Sequence, residues 1–199
     1  MVIDASKNEL AAITAAVIDA LAAGEVVVIP TDTVYGLACD PFSQTAVDRL
    51  FALKQRPEGV PIAVLVGSLG QARELVDTNQ RFESLAEQHW PGGLTLIADM
   101  RRDVAARSPK IGLNNTLGVR WSSHVLLTAI ASAFGPVAAT SANLHGAPTI
   151  VDPADAVAVF GTDVATIVDG GILENEASTV VDTTTHPVRV LRQGEVRVD

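Results

Sequence analysis

The chain has 199 residues, of which 48% are apolar, so one domain with a substantial core is expected. Its single cysteine, Cys39, excludes an intrachain disulfide framework and is typical of a reducing compartment. A formal net charge of −9 argues against a protein that binds nucleic acid chiefly by neutralising phosphates.

The N-terminal segment is predicted to carry neither a targeting signal nor a membrane span. MVIDASKNEL has no basic stretch followed by an apolar run. Later apolar runs fall well short of the ~20 residues that a membrane-spanning helix needs. We therefore expect a cytoplasmic protein that forms one domain over residues 1–199, with no membrane contact.

The first part of the chain predicts a helix, a strand and a second helix. Ser6 and Glu9 have the spacing of a capping box, and apolar residues follow at helical intervals. A short buried strand is expected over residues 26–29, which places the polar run after it at a strand tip. The second helix is predicted from about Thr45 to Leu53.

The remainder of the chain predicts strands interrupted by helices, one of them from about Val125 to Ala133. Hairpin-like connections are expected between the last three strands. The strand-like runs are PIAVLV, LTLIA, LGVRW, PVAAT, ATIVDGG, STVVD and PVRVLR. This mixture favours an α/β (α+β-like) domain with a mixed sheet over a regular doubly wound one.

One local basic cluster stands out in this acidic chain. For this cluster a solvated loop is the simpler interpretation, so any RNA is expected to be held weakly or through partner proteins. Its members are Arg101, Arg102, Arg107 and Lys110.

Several common catalytic signatures are missing from the sequence. There is no G-x-x-x-x-G-K-[ST] phosphate loop, no G-x-G-x-x-G turn and no G-x-S-x-G elbow. The four histidines are scattered, and one cysteine cannot complete a zinc site, so no metal ligands are predicted. A phosphate-binding function would need another arrangement.

Short polar motifs recur at the predicted ends of strands and helices. Arg56 can bind phosphate through two parallel hydrogen bonds, while Lys54 acts as a compact charge. Arg120 lies within an apolar strand and should have a partner, because burying an unpaired charge is costly. The other polar motifs are PTDTVYGL, Ser141-Ala142-Asn143, Ser178-Thr179-Val180-Val181-Asp182 and Arg192. Each has a simple structural explanation alone, but together they suit a triphosphate and a small amino acid.

The order of these motifs resembles the YrdC-like family, the L-threonylcarbamoyladenylate synthases. The motifs are PTDTVYGL, K-x-R-P, W-P-G-x-L-T, V-R, S-A-N-x-x-G, S-T-V-V-D and L-R-x-G, from about Gly24 to Gly194. The resemblance implies a twisted, mixed-sheet YrdC-like domain with a large concave ligand cavity, in the short, single-domain form.

The activity implied by the resemblance is that of a nucleotidyltransferase. Such an enzyme condenses L-threonine, bicarbonate or CO2, and ATP to threonylcarbamoyl-AMP and pyrophosphate. The product serves the threonylcarbamoyladenosine modification of tRNA next to the anticodon, through partner transferase proteins. Mg²⁺ is expected to accompany ATP.

The resemblance also implies residue roles. Lys54 and Arg56 would be catalytic, on the phosphate path. The threonine site would contain Thr33, Arg120 for the carboxylate, and Ser178. The ATP site would contain Arg56, Thr116, Ser141, Asn143 and Arg192.

Departures from the family pattern, among them Glu58 and Ala63 in KQRPEGVPIAV, and two alternative functions remain open at this point. Ser122 stands where many relatives have a proline two residues after the strand arginine, and Gly93 replaces the second proline of W-P-G-P-L-T. One alternative is a YrdC-like paralogue with a different acceptor substrate. The other is a non-catalytic double-stranded-RNA-binding module, which the acidic charge disfavours.

Overall fold

Helices and strands intermingle along the chain in the computed structural model, which describes residues 1–57, 59–108 and 110–198. The helices are α1 (Leu10–Ala22), α2 (Gln44–Lys54), α3 (Leu69–Leu75), α4 (Gln80–His89), α5 (Arg102–Arg107), α6 (Val125–Ala133) and α7 (Pro153–Phe160). The strands are β1 (Val2–Asp4), β2 (Val27–Ile29), β3 (Gly36–Cys39), β4 (Ala63–Val66), β5 (Val76–Asp77), β6 (Leu94–Met100), β7 (Thr116–Trp121), β8 (Val137–Ser141), β9 (Thr166–Asp169), β10 (Thr179–Asp182) and β11 (Arg189–Arg192).

The strands form a mixed sheet in the order β1-β9-β2-β3-β8-β4-β7-β6-β10-β11, with β5 paired to β6. Strands β9, β4 and β10 have parallel neighbours in β2, β7 and β6, whereas β3 and β8 pair antiparallel on both sides. The predicted α/β class with a mixed sheet is confirmed. The expected late hairpins were only half right, because β9 pairs with β1 and β2 while β10 and β11 form the hairpin.

Helix boundaries follow local side-chain chemistry. The hydroxyl of Ser43 accepts the amide of Ala46 and starts α2, which ends at the left-handed residue Gln55. The predicted capping box at the first helix was wrong: Ser6 bonds Asp4 instead, and Glu9 precedes α1 without a side-chain cap. The bounds of α6 agree with the sequence prediction.

The basic cluster, predicted as a loop, forms α5 and the residues beside it. Arg101 and Arg107 both approach Asp103, and Arg107 also stacks over Phe42 at 4.2 Å. Lys110 pairs with Asp48. Three of the four cations of this cluster, Arg101, Arg107 and Lys110, therefore have an ion-pair partner within the chain.

The two faces of the sheet are covered differently. One face packs against most of the helices and buries the larger apolar cluster. On the other face, α1 and α6 cover the sheet around β2, β9 and β4, through Val17, Leu21 and Ile130 among others. The strands beyond them are left uncovered on this face, and this is where a cleft opens. No helix within the described ranges is long and apolar enough to cross a membrane.

Candidate active site

A cleft of about 270 Å³ lies on the face of the sheet that α1 and α6 leave open. The alternation of side chains along β7 explains its lining. Leu117 and Val119 point into the larger core, whereas Thr116, Gly118 and Arg120 line the cleft. Of the residues predicted from the sequence, the cleft brings together Thr33, Arg56, Thr116, Arg120, Ser141, Ser178 and Arg192.

Arg120 is the most buried of the cleft arginines, with a side chain only 7% exposed. Its Nη2 donates to Asp32 Oδ1 at 2.5 Å, its Nη1 to Thr33 Oγ1 at 3.0 Å and its Nε to the Gly92 carbonyl at 3.0 Å. The structure thus supplies the partner that a strand arginine requires.

Asp32 lies behind Arg120 and does not line the cleft. Its Oδ1 also accepts the Ser122 hydroxyl, and its Oδ2 accepts the amide and the hydroxyl of Ser123, both at 2.9 Å. Burial alone would raise the pKa of this carboxyl. The Arg120 charge and the serine hydrogen bonds outweigh burial and hold the pKa below its ordinary value.

The loop before β3 is held in place by hydroxyl groups. Thr31 Oγ1 accepts the amides of Thr33 and Val34 and donates to the Val34 carbonyl. Tyr35 is fully buried, donates to the Gly171 carbonyl and accepts the Gly170 amide, so its phenol ties two loops together. Burial raises the pKa of Tyr35 to about 12. Thr33 faces the cleft, whereas Tyr35 is a structural side chain.

Arg56 enters the cleft from the segment between α2 and β4. Its guanidinium donates to the carbonyls of Val60 and Pro61 and to Thr140 Oγ1. Burial lowers the pKa of this group. Its described partners are neutral, so its positive charge is not cancelled locally.

Lys54 does not line the cleft, although the sequence predicted it on the phosphate path. Its ammonium is buried and donates to Ser141 O at 2.6 Å, Asn143 O at 2.9 Å and Asn143 Oδ1 at 2.7 Å. The Asn143 amide also accepts the Ser141 hydroxyl and donates to the Ala147 carbonyl. The Lys54 ammonium therefore lies beneath the 141–147 loop and is held there by Asn143, and Ser141 alone of the three reaches the cleft.

A second hydroxyl cluster lies where β6 and β10 meet. Thr95 Oγ1 and Ser178 Oγ are 3.0 Å apart, and Arg192 donates to both the hydroxyl and the carbonyl of Ser178. Burial, and secondarily the nearby Arg120 charge, lower the pKa of Arg192. At the floor, a Cβ atom on Gly118 would lie 3.3 Å from Thr95 Cγ2, so the absence of a side chain there keeps the cleft open.

The electrostatic character of the cleft is opposite to that of the chain. Arg56, Arg120 and Arg192 line it from three separate elements, and no acidic side chain is among its described lining residues. Converging cations in a concave site concentrate a local positive field that attracts anions. No group of three or more His, Cys, Asp or Glu side chains in the described ranges is arranged to hold a metal ion.

Sequence reasoning missed two hydroxyls of the lining, those of Thr95 and Thr140. Each is a polar residue within an otherwise apolar strand run, LTLIA or PVAAT. That interruption of the apolar pattern was the available signal, since a strand exposes alternate residues to one face.

Comparison with known proteins gives the same family at the level of sequence and of structure. The profile of the Sua5/YciO/YrdC family, described as telomere recombination, matches residues 19–194. A candidate threonylcarbamoyl-AMP synthase of Mycobacterium tuberculosis is 37% identical over 187 residues, which cover 92% of this chain and 84% of that protein. The threonylcarbamoyl-AMP synthase of Vibrio cholerae is 35% identical over 181 residues, covering 89% of this chain and 95% of that one.

The structure of Pyrococcus abyssi Sua5 complexed with L-threonine superposes with a TM-score of 0.89 at 30% identity. The match covers 98% of this chain and only 57% of the Pyrococcus chain. Since the family profile spans most of the chain and the relatives exceed 30% identity over most of their own length, the chain belongs to the Sua5/YciO/YrdC family.

Proposed function

We propose that the protein is a threonylcarbamoyl-AMP synthase, which condenses L-threonine, bicarbonate or CO2, and ATP, and releases pyrophosphate. The observation that carries this proposal is the convergence of three arginines on a cleft with no acidic side chain among its described lining residues. The reaction brings together a carboxylate and a triphosphate, and both are anions. The synthase names of the relatives support the same activity.

The arginines differ in a way that divides the two anions between them. Arg120 is paired with Asp32, so its net field is weak and suits the single charge of an amino-acid carboxylate. Arg56 and Arg192 have neutral hydrogen-bond partners in the described part of the chain, which suits a triphosphate. Thr33 and Ser178 would complete the threonine side, and Thr116 and Ser141 the ATP side.

The proposed chemistry has two steps. The threonine amine loses a proton and forms an N–C bond with CO2, which gives a carbamate. A carbamate oxygen then attacks the α-phosphorus in line, an O–P bond forms, and the bond to the β-phosphate oxygen breaks to release pyrophosphate. Arg56 and Arg192 would orient the triphosphate and neutralise the charge that spreads onto its oxygens.

Mg²⁺ and tRNA enter this scheme differently from the small substrates. Mg²⁺ would arrive on ATP, held by phosphate oxygens and water, as is usual for nucleotide sites. Asp48 and Asp103 offset about half of the charge of the basic cluster around α5, which weakens its attraction for RNA. We therefore assign the transfer onto tRNA to partner proteins in the cytoplasm.

Pyrophosphate release is the direct test. Release should require ATP, bicarbonate and L-threonine, with much weaker activity on L-serine. The Arg56→Ala variant should lose about 10²-fold or more in turnover, because the reaction needs its charge. The matched control is Arg73→Ala, which removes an exposed arginine paired with Glu83 and should leave turnover unchanged.

The other outcomes identify the alternatives. Release without dependence on threonine would indicate a paralogue with another acceptor. No release from folded protein, together with steeply salt-dependent binding of double-stranded RNA, would indicate a binding module.

A further inference from the structure

Asp32 is a largely buried carboxylate beside the cleft that the proposed chemistry does not use. Its side chain is 12% exposed and belongs to the loop between β2 and β3, next to Thr33 in the cleft. Four donors surround it: Arg120 Nη2, the Ser122 hydroxyl, and the amide and hydroxyl of Ser123. Each carboxylate oxygen already accepts two hydrogen bonds, so this carboxylate is not arranged to bind a ligand directly.

Hydrogen bonds to the carboxylate and to the main chain of Asp32 connect its loop to two other segments of the molecule. Ser122 and Ser123 connect the end of β7 to the start of α6, and Arg120 lies within β7 itself. The main-chain carbonyl of Asp32 accepts the Asn175 side-chain amide at 2.9 Å, which ties in the segment between β9 and β10. Asp32 is therefore fixed from several directions, and it can hold the arginine in one orientation.

The arginine keeps donors to spare after these contacts. A guanidinium has five N–H groups, and the bonds to Asp32, Thr33 and Gly92 use three of them. One N–H on each terminal nitrogen remains, which is enough for the two oxygens of a carboxylate.

Ser122 and Ser123 brace Asp32 from the segment that follows β7. The Ser122 hydroxyl donates to Asp32 Oδ1, and the amide and hydroxyl of Ser123 donate to Oδ2. The two serines therefore hold both oxygens of the carboxylate beside Arg120.

We propose that Asp32, braced by Ser122 and Ser123, is a positioning residue that cancels the charge of Arg120 and orients it for a monoanionic amino-acid carboxylate rather than for phosphate. This proposal rests on the proposed synthase function. It assigns to Asp32 the separation of the two anionic substrates within one cationic cleft.

The test is the Asp32→Asn variant, with steady-state constants for both substrates. An asparagine can accept at only one atom, so it cannot serve both Arg120 and Ser123. The KM for L-threonine should rise about tenfold or more, whereas the KM for ATP should change by less than about threefold. Inorganic pyrophosphate should become competitive with L-threonine, because an uncancelled guanidinium favours a polyanion.

A matched control and two contrary outcomes distinguish a failure of the Asp32 proposal from a failure of the synthase proposal. Asp48→Asn makes the same change at an exposed ion pair with Lys110 and should alter neither KM. If Asp32→Asn does not fold, the Ser122→Ala/Ser123→Ala protein takes its place, with a rise of about threefold expected in the KM for L-threonine. An unchanged KM for L-threonine, or an equal rise for both substrates, overturns the role of Asp32 while wild-type activity stands. A wild-type protein without threonine-dependent release overturns both proposals.

Discussion

Two buried cations flank the cleft, and they are satisfied in opposite ways. Arg120 faces the carboxylate of Asp32 at 2.5 Å. Lys54 is only 2% exposed, and in the described part of the chain its ammonium contacts neutral oxygens of Ser141 and Asn143. The Arg120 end of the cleft therefore contains a charge pair, and the Lys54 end contains a cation held by neutral dipoles.

This difference determines how each end responds to protons. A cation beside a carboxylate stabilises the ionised carboxylate, and the pKa of Asp32 is accordingly lowered. A cation among neutral oxygens has no such compensation. Burial, with a smaller contribution from the Arg56 charge, lowers the pKa of Lys54 to about 8. Asp32 should therefore stay ionised at neutral and alkaline pH, whereas Lys54 should lose its proton, and with it its charge, in mild alkali.

The largest loss of stability is expected from Arg120→Met, which leaves the Asp32 carboxylate largely buried without its cation. Removing one partner of a buried pair costs about 3–5 kcal/mol, and we expect a loss near 3 kcal/mol in the free energy of unfolding at pH 7. The serine donors to Asp32 remain, which keeps the loss at the lower end of that range. Urea unfolding measures it.

The pH dependence of this loss tests its cause. In the wild type, the lowered pKa of Asp32 contributes stability that is present above the unfolded value near 4 and disappears as the pH falls through the folded value. In Arg120→Met, burial would raise the pKa of Asp32, so protonation relieves the buried charge. The deficit relative to wild type should shrink between pH 7 and pH 5. A deficit that stays constant over that range would contradict the charge-pair explanation.

A smaller loss is expected from Lys54→Met, which replaces the ammonium with an apolar group of similar length. Buried carbonyls of Ser141 and Asn143 lose their donor at about 1–3 kcal/mol each, but the burial cost of the ammonium disappears too. We expect a net loss of about 2 kcal/mol, with no recovery at acid pH. Turnover should fall more than about tenfold because Ser141 moves at the cleft.

Lys54→Arg is the matched variant, since a guanidinium keeps the charge and can reach several of the same oxygens. Lost turnover in Lys54→Met without any loss of stability would contradict the structural role of Lys54 in holding the 141–147 loop. It would show instead that the ammonium acts on the substrates directly, as the resemblance implies for a catalytic residue.

The sequence predicted the composition of the cleft better than the direction of its side chains. The polar motifs lie at ends of strands and helices, where local pattern is informative, and Arg120 has the partner that burial of a charge demands. Lys54 was expected to face phosphate. A helix end places its Cα, but the four-carbon stem can point either way, and the buried oxygens of the 141–147 loop decide the direction.

Long-range pairing was the other feature outside the reach of sequence pattern. The β9 run was recognised as a strand, yet its partners β1 and β2 lie more than 130 residues earlier in the chain. A period-2 pattern identifies the buried face of a strand and not its neighbour. The α5 helix was missed because its six residues show only one buried side chain, Val104.

The smallest predicted effect is the alkaline response of Lys54, which tests whether the ammonium charge holds the 141–147 loop in place. The folded pKa of Lys54, near 8, lies below the unfolded value near 10.4, so the unfolded chain binds more protons between those pH values. This group therefore makes the free energy of unfolding rise with pH in that range.

Deprotonation of Lys54 nevertheless removes the charged donor beneath Ser141. Relative to Lys54→Arg, which stays charged, wild-type turnover should be about twofold lower at pH 8 and about tenfold lower at pH 9. The ratio of the two proteins cancels the titration of the threonine amine, which both share. A ratio that is flat from pH 7 to pH 9 would mean that the charge on Lys54 does not hold the loop, and the contrast between the two ends of the cleft would then lie in geometry alone.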